Sequence, residues 1–174
     1  MPDKFLKVFI NFFQGITKSY CYVSSFSSCF PLHTEDLDLG AINFLHSGKP
    51  KIWIIISKDA KKMEKIVVDT LQQRNLISEP CNNIFRHKDY ILTPEFLNKH
   101  NIEYQIIVQR PGEFVVTFPR GYHQGVNSGL NICESTNFAN EEWVKYGRNG
   151  IQCSCSRKKN NGAPFDMCWF EDIV

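Results

Sequence analysis

The sequence predicts a mainly β fold in which an antiparallel barrel or jelly roll carries a few peripheral helices. Short apolar stretches recur along the chain and are separated by turn-forming pairs such as Ser47-Gly48 and Pro111-Gly112. Only one segment has a long helical periodicity. The 174 residues, 43% of them hydrophobic, correspond to one domain with an apolar core. On this pattern alone, a β-sandwich is an equally good interpretation.

Aromatic and aliphatic residues predict the first three strands. Four aromatic residues recur at even spacing, as they would on one face of a strand: Tyr20, Tyr22, Phe26 and Phe30. Aliphatic and aromatic residues also alternate on both sides of the Ser47-Gly48 turn, at Ile42, Phe44, Ile52, Ile54 and Ile56. We therefore predict two further strands that flank this turn.

Three segments have helical patterns. Ser57 is a suitable cap for a helix from about Lys58 to Gln73, because apolar residues there recur at helical spacing with lysines opposite. This apolar stripe consists of Met63, Ile66, Val67 and Leu71. Thr93-Pro94 predicts a short second helix through Asn98, and residues 141–146 suggest a third.

Strands resume after the second helix. The stretches YQIIV and FVVTF lie on either side of the Pro111-Gly112 turn. The segment HQGVNSGLNICESTNF resembles a hairpin with residues 127–129 at its tip. After Cys155 we expect irregular structure, apart from a hydrophobic end around Trp169 and Phe170.

Composition excludes several classes of protein. Lysine and arginine number 20 and aspartate and glutamate 18, so a net charge of +2 gives no reason to expect sequence-specific nucleic-acid binding. No stretch approaches the roughly 20 apolar residues that span a bilayer. Seven cysteines, an odd number, without a secretory signal argue against a disulfide framework. We therefore expect a reducing compartment, where cysteine clusters more often bind metal.

The motif His33-Thr34-Glu35 is the first chemical signal. Residues two apart in an extended strand point to one face, so the imidazole and the carboxylate can bind one ion together. His123, which follows a turn, is the best candidate for a third ligand. Two histidines and one carboxylate leave three positions open, the arrangement of non-haem Fe(II) oxygenases. On spacing alone, however, these residues are more often structural than metal-binding.

The stretches HTEDLDLGAINFLHSGKPKIW and GEFVVTFPRGYHQGVNSGLNICESTNFA resemble the two halves of the signature of JmjC oxygenases, which depend on Fe(II) and 2-oxoglutarate. The resemblance covers residues 15 to 155. It implies a cupin-like double-stranded β-helix, a jelly roll that we expect to be incomplete at its N-terminus. It also implies iron ligands, namely His33, Glu35 and His123. For 2-oxoglutarate it implies Lys51 at the distal carboxylate, Asn43 as a hydrogen-bonding residue, and Phe30 and Trp53 as aromatic walls.

Within this family, the chain is most similar to the zinc-bearing JmjN/JmjC histone-lysine demethylases, the lysine-specific demethylase 4 group. This similarity implies a pocket for methylated lysine formed by Gly15, Tyr22, Glu35, Ser135 and Asn137, with Lys88 nearby. It also implies a zinc site, formed by Cys81, His87, Cys153 and Cys155. The corresponding division is a poorly defined segment 1–14, a JmjC core 15–147 and a zinc-contributing segment 148–174.

The resemblance implies a nuclear, chromatin-associated enzyme without a membrane partner. It would demethylate lysine nine and lysine thirty-six of the histone H3 tail, consume 2-oxoglutarate and dioxygen, and release succinate, carbon dioxide and formaldehyde. Two alternatives remain: a JmjC protein hydroxylase, or an inactive JmjC module that binds chromatin. The JmjN segment and the first half of the catalytic region have no counterpart before residue 15, and Gly40 and Ala41 replace larger residues. We therefore expect an N-terminally truncated domain.

Overall fold

The computed structural model describes residues 18–56, 58–77, 81 and 83–147. Eight strands form two four-stranded antiparallel sheets. In spatial order, the first sheet contains β1 (Tyr20–Ser24), β8 (Asn131–Phe138), β3 (Gly40–Gly48) and β6 (Phe114–Thr117). The second contains β2 (Cys29–His33), β7 (Tyr122–Asn127), β4 (Lys51–Ile56) and β5 (Gln105–Gln109). Most successive strands switch sheet, so the predicted jelly roll is confirmed.

The predicted hairpin at residues 123–138 is wrong, because β7 and β8 belong to different sheets. Strands β3 and β4 also belong to different sheets, although only two residues connect them. The two crossings lie side by side: Lys49 N donates to Leu130 O at 2.8 Å, and Ser128 N donates to Pro50 O at 3.0 Å. These backbone hydrogen bonds satisfy the polar groups that a crossing would otherwise leave unpaired.

The single strand predicted through residues 20–30 is two strands. Phe26 and Ser27 form a turn between β1 and β2, and Ser27 has a φ of 62°. The even spacing of aromatic residues therefore extends over two strands that belong to different sheets. The reason is that Tyr22 and Phe30 both line the same cavity, from opposite sheets.

Three α-helices are described: α1 (Ala60–Gln73), α2 (Pro94–Lys99) and α3 (Val144–Gly147). The first two match the sequence prediction; α1 follows Asp59, and the predicted cap Ser57 lies outside the described residues. Thr93 caps α2, since its hydroxyl accepts from Phe96 N at 3.2 Å. The third helix begins three residues later than predicted and forms a single turn.

The core lies between the second sheet and the helices. Met63, Val67 and Leu71 of α1 point into it and confirm the predicted stripe. The sheet contributes Leu32, Ile56 and Tyr122 to the same cluster, together with Phe85 and Leu97 from the intervening segments. Because alternate residues of a strand face opposite sides, the other face of this sheet is left to line the interior cavity. No helix in the described ranges is both long and apolar enough to cross a membrane.

Candidate active site

A cavity of about 570 Å³ lies between the two sheets. This is within the size range of pockets that bind small organic ligands. Eleven residues singled out in the sequence line it: Tyr22, Phe30, His33, Glu35, Asn43, Lys51, Trp53, Lys88, His123, Ser135 and Asn137. The fold therefore brings together side chains that are up to 115 positions apart in the sequence.

His33, Glu35 and His123 form the one group of three or more potential metal ligands found among the described residues. His33 at the end of β2 pairs directly with His123 of β7. Glu35 follows in extended conformation, with φ −64° and ψ 157°. Its Oε1 lies 3.2 Å from His123 Nε2 and 3.8 Å from His33 Nε2. The ligand atoms of all three residues lie within 4.8 Å of one another.

Backbone carbonyls orient both imidazoles. His33 Nδ1 lies 2.6 Å from Pro31 O, and His123 Nδ1 lies 3.0 Å from Gly121 O. Because a carbonyl oxygen can only accept, each Nδ1 carries a proton. A ring that binds metal must be neutral, and its lone pair is then on Nε2, the atom nearest to Glu35. This arrangement is how metal-binding histidines are usually fixed, so the cluster fits a divalent metal ion.

Burial and the neighbouring charges hold these groups in their metal-binding forms. Burial, with the nearby His123, lowers the pKa of His33 to about 4. For Glu35, burial favours the neutral acid, but the hydrogen bond and charge of His123, the charge of His33 and a hydrogen bond from Asn137 outweigh it. The pKa of Glu35 is accordingly about 2. At neutral pH, the pair therefore offers a neutral imidazole and a carboxylate.

Lys51 is a buried cation in the same cavity, with 4% of its surface exposed. Its Nζ donates to Asn127 Oδ1 at 2.7 Å and lies 5.9 Å from the Phe30 ring centroid. Within the described part of the chain, no carboxylate is within ion-pair distance of it. A buried charge without a counterion is costly. The cavity is therefore suited to an anionic ligand that reaches Lys51.

Gln109 organises the wall beside Lys51. It is fully buried; its Oε1 accepts from Trp53 Nε1 at 3.0 Å, and its Nε2 donates to Asn43 Oδ1 at 3.1 Å. The rings of Phe30 and Trp53 meet edge to face, with centroids 4.6 Å apart. Gln109 thereby fixes two of the predicted cosubstrate residues.

Sequence reasoning missed Gln109 and Asn127. A signal was present for Asn127, because it follows His123 by four positions in one strand and so shares its face. Gln109 gave a weaker signal as the polar end of an apolar strand. Both residues pair with Lys51 in the sheet, from opposite sides. That register is visible only in the folded structure.

Four of the residues predicted for methyl-lysine, together with Lys88, line the cavity. Tyr22 pairs with Cys133 in the sheet, and its pKa is raised by burial and by the charge of Glu35. Ser135 Oγ donates to Ile42 O at 3.1 Å, and Asn137 Nδ2 donates to Gly40 O at 3.2 Å. These bonds hold both side chains against β3. Gly15, the fifth residue of the predicted pocket, lies outside the described residues.

Cys81 and His87 lie together away from the cavity lining. Cys81 Sγ is 3.4 Å from His87 Nε2, and Asn83 N donates to the same sulfur at 3.4 Å. Two ligands of a tetrahedral zinc ion, at roughly 2.3 Å for sulfur and 2.0 Å for nitrogen, would be about 3.5 Å apart. Cys153 and Cys155 lie outside the described residues.

Comparisons with known proteins agree with this geometry. Residues 20–138 match the family described as "JmjC domain, hydroxylase". The chain is 39% identical over 145 residues to lysine-specific demethylase 4B of Mus musculus, covering 83% of this chain and 13% of that protein. It is 38% identical to probable lysine-specific demethylase 4F of Homo sapiens and 37% identical to lysine-specific demethylase 4D of Rattus norvegicus. Each of these matches covers 84% of this chain, and 23% and 28% of the respective protein. The matched region is thus under a third of each relative.

Proposed function

Because the chain belongs to the family of JmjC-domain hydroxylases, we propose that its cavity binds Fe(II) and 2-oxoglutarate and that the protein demethylates methylated lysine in histone H3 tails. The observation that carries the proposal is the placement of His33, Glu35 and His123 in one cavity with the buried Lys51. The demethylases among its relatives support lysine as the substrate. We further propose lysine nine and lysine thirty-six of histone H3 as targets, in the nucleus.

His33, Glu35 and His123 would hold the iron. Iron supplies the activation of dioxygen that couples oxidation of an N-methyl group to conversion of 2-oxoglutarate into succinate and carbon dioxide. The oxidised methyl group leaves as formaldehyde. The protein orients the ligands: the backbone carbonyls of Pro31 and Gly121 fix the two imidazoles, and Glu35 supplies the negative charge.

Lys51 would bind the distal carboxylate of 2-oxoglutarate. Its ammonium already has one partner, Asn127 Oδ1, and an incoming carboxylate would supply the missing negative charge. Asn43 would donate a hydrogen bond, while Phe30 and Trp53 would enclose the carbon chain and exclude water. Removing water from this site strengthens the ion pair, since the local dielectric constant falls.

The methylated ammonium would lie beside Glu35 at the cavity mouth. A trimethylated nitrogen has no N–H to donate, so oxygen atoms and aromatic faces must hold it. Tyr22, Ser135 and Asn137 supply such groups on one side of the cavity. We include Gly15 in this pocket because its lack of a side chain permits a close backbone approach, and Lys88 as a neighbouring cation on the rim.

We propose that residues 15–147 form the catalytic core, that residues 148–174 contribute to a zinc site and that residues 1–14 precede the core. The 3.4 Å separation of Cys81 Sγ from His87 Nε2 supports half of that site, and Cys153 and Cys155 would complete it. Metal analysis should find about one zinc per chain. Replacing Cys153 and Cys155 together by serine should remove it, because two ligands hold zinc weakly.

The central experiment measures formaldehyde release from trimethylated histone H3 peptides in the presence of Fe(II), 2-oxoglutarate and dioxygen. We expect formaldehyde, succinate and a product peptide that has lost methyl groups. His123→Ala should abolish all three products. His46→Ala is the matched control, because His46 is an exposed histidine outside the cavity lining.

Three outcomes would contradict the proposal. Succinate with a hydroxylated peptide but no formaldehyde would identify a protein hydroxylase. Peptide binding with no succinate would identify an inactive chromatin-binding module. If His123→Ala were as active as the unmodified chain, the reaction would not depend on the proposed iron site.

A further inference from the structure

We propose that Arg86 is a positioning residue that holds residues 34–39, hereafter the metal loop, in the conformation in which Glu35 can bind iron. This inference rests on the proposed iron site. It concerns a side chain that contacts none of the three ligands and does not itself line the cavity, although its partner Asp36 does. Its basis is a network of ion pairs around a strained backbone turn.

The backbone of the metal loop is unfavourable. Leu37 and Asp38 are consecutive non-glycine residues in the left-handed region, with φ of 54° and 53°. Such a conformation persists only where surrounding contacts hold it. Because the turn begins one residue after Glu35, relaxation of the turn would move the carboxylate away from His123.

Arg86 bridges both ends of this turn. Its guanidinium lies 3.4 Å from Asp38 Oδ1 and 3.8 Å from Asp36 Oδ1. Asp38 also accepts from Thr34 Oγ1 at 3.1 Å, which ties the residue before Glu35 to the same carboxylate. A planar, forked guanidinium can contact two carboxylates at once, whereas a lysine ammonium is a single point of charge.

Arg120 and Trp143 also hold the metal loop, but neither replaces Arg86. Arg120 N donates to Asp38 O at 3.1 Å, and Arg120 Nε lies 4.0 Å from Asp38 Oδ2 on a side chain that is about half exposed. Trp143 Nε1 donates to Leu37 O at 2.8 Å, which fixes the middle of the turn. Arg86 is the more buried of the two arginines and reaches Asp36 as well as Asp38.

The position of Arg86 is itself well defined. It lies in a 3₁₀ helix, Ile84–His87, whose Ile84 and Phe85 are buried in the core. The next residue is His87, which lies beside Cys81. Arg86 therefore connects the core and the neighbouring pair Cys81 and His87 to the loop that carries Glu35.

Binding of Mn(II) tests this inference without catalysis. Mn(II) prefers oxygen and nitrogen ligands, so it should not occupy the cysteine site. Electron paramagnetic resonance measures free Mn(II) during a titration. We expect Arg86→Gln to weaken Mn(II) binding about tenfold or more, as loss of an outer-shell partner does at other metal sites. Arg86→Lys should retain part of the Mn(II) affinity that Arg86→Gln loses. Arg120→Gln should weaken Mn(II) binding less than Arg86→Gln does.

A stability control separates positioning from folding. Val67→Ala removes buried core volume in α1, far along the chain from the metal loop. It should lower the free energy of unfolding and leave the Mn(II) dissociation constant unchanged. If Arg86→Gln does not fold, Asp36→Asn removes only the half-exposed partner and should shift Mn(II) binding in the same direction.

Unchanged Mn(II) binding in Arg86→Gln, or in Asp36→Asn where the first variant does not fold, would overturn the inference. The inference would also be overturned if Val67→Ala, at the same stability as Arg86→Gln, showed the same loss of Mn(II) affinity. Absence of Mn(II) binding in the unmodified chain, or binding that His123→Ala leaves intact, would instead overturn the proposed iron site.

Discussion

Lys51 combines a structural cost with a binding role. Its ammonium is buried, has no carboxylate within ion-pair distance among the described residues, and donates to Asn127 Oδ1 at 2.7 Å. Removing a charge from water is unfavourable unless a partner compensates. The residue is therefore expected to lower the stability of the ligand-free protein while it increases affinity for an anion.

Lys51→Met tests both effects in one variant. Binding of 2-oxoglutarate should weaken about 10- to 100-fold, since a hydrogen bond to a charged group contributes roughly 1.5–3 kcal/mol. The ligand-free protein should be no less stable, because methionine fills similar volume without a charge. Calorimetric titration and thermal unfolding measure the two effects. Lys49→Met, at an exposed lysine two positions earlier, is the control and should change neither.

His33 makes the stability of the metal-free protein depend on pH. Burial and the nearby His123 lower its pKa from 6.5 to about 4. The unfolded chain therefore takes up this proton at a higher pH than the folded chain. Acid favours unfolding in that window, so stability present above pH 6.5 is lost as the pH falls toward 4. The lowered pKa of Glu35 acts in the same direction at lower pH.

We expect His33 to contribute roughly 3 kcal/mol to this loss. Urea unfolding of metal-free protein between pH 7 and pH 4 measures it. His33→Asn should flatten the dependence, because asparagine does not titrate. An unchanged pH dependence in this variant would assign the effect to other groups.

At the level of elements, strand β7 organises the cavity. His123, Gly125 and Asn127 alternate along it and share its inner face. Gly125 leaves room for the ring of Phe30, and an added Cβ would also lie 2.6 Å from Ile52 O. The strand thus supplies a proposed metal ligand, a space for the ring of Phe30 and the partner of Lys51 at consecutive inward positions.

Gly125→Ala should displace Phe30 and disturb the pairing of β7 with β4. We expect a loss of about 1–3 kcal/mol in stability, as overpacking usually causes, and weaker 2-oxoglutarate binding. Gly112→Ala is an informative control. A Cβ added at Gly112 would have no atom within 4 Å, but the φ of 87° is unfavourable for alanine. This variant should therefore lower stability and leave the affinity for 2-oxoglutarate unchanged. Equal affinities in both variants would contradict this role for Gly125.

Across the whole molecule, the two sheets differ in what covers them. Helices and loops pack on part of the outer face of the second sheet, although apolar side chains of its edge strand β5 remain exposed. The first sheet exposes apolar side chains, among them Val23 at 72% and Phe114 at 61%. Strand β6 lies at its edge, where Phe114 pairs with Phe44 and Val116 with Ile42. Exposed apolar edges of this kind promote association.

Replacing Phe114 and Val116 together by lysine should reduce self-association of this chain at a given concentration. The reason is that charge on an edge strand opposes edge-to-edge pairing. Light scattering and sedimentation measure the effect, and Mn(II) binding should be unchanged. Phe114→Leu keeps the surface apolar and should associate like the unmodified chain. Equal association of the lysine variant would contradict this expectation.

The sequence by itself predicted the candidate metal ligands and most of the elements. The spacing of His33 and Glu35, together with the resemblance around His123, predicted these three residues as iron ligands, and the structure brings all three together. The stripe on α1 and the cap at Thr93 were also visible, because helical periodicity and capping are local properties.

Only the tertiary structure decided which strands share a sheet. Alternation marked β7 and β8 as strands, but it also suggested a hairpin that does not form. A jelly roll hides its polar site between two sheets, so inward positions such as Asn43, Lys51 and Asn127 carry polar residues and alternation does not identify the partner strand. The polar network of Gln109, the ion pairs of Arg86 and the strained turn after Glu35 depend on distant segments meeting, and no local pattern encodes such a meeting.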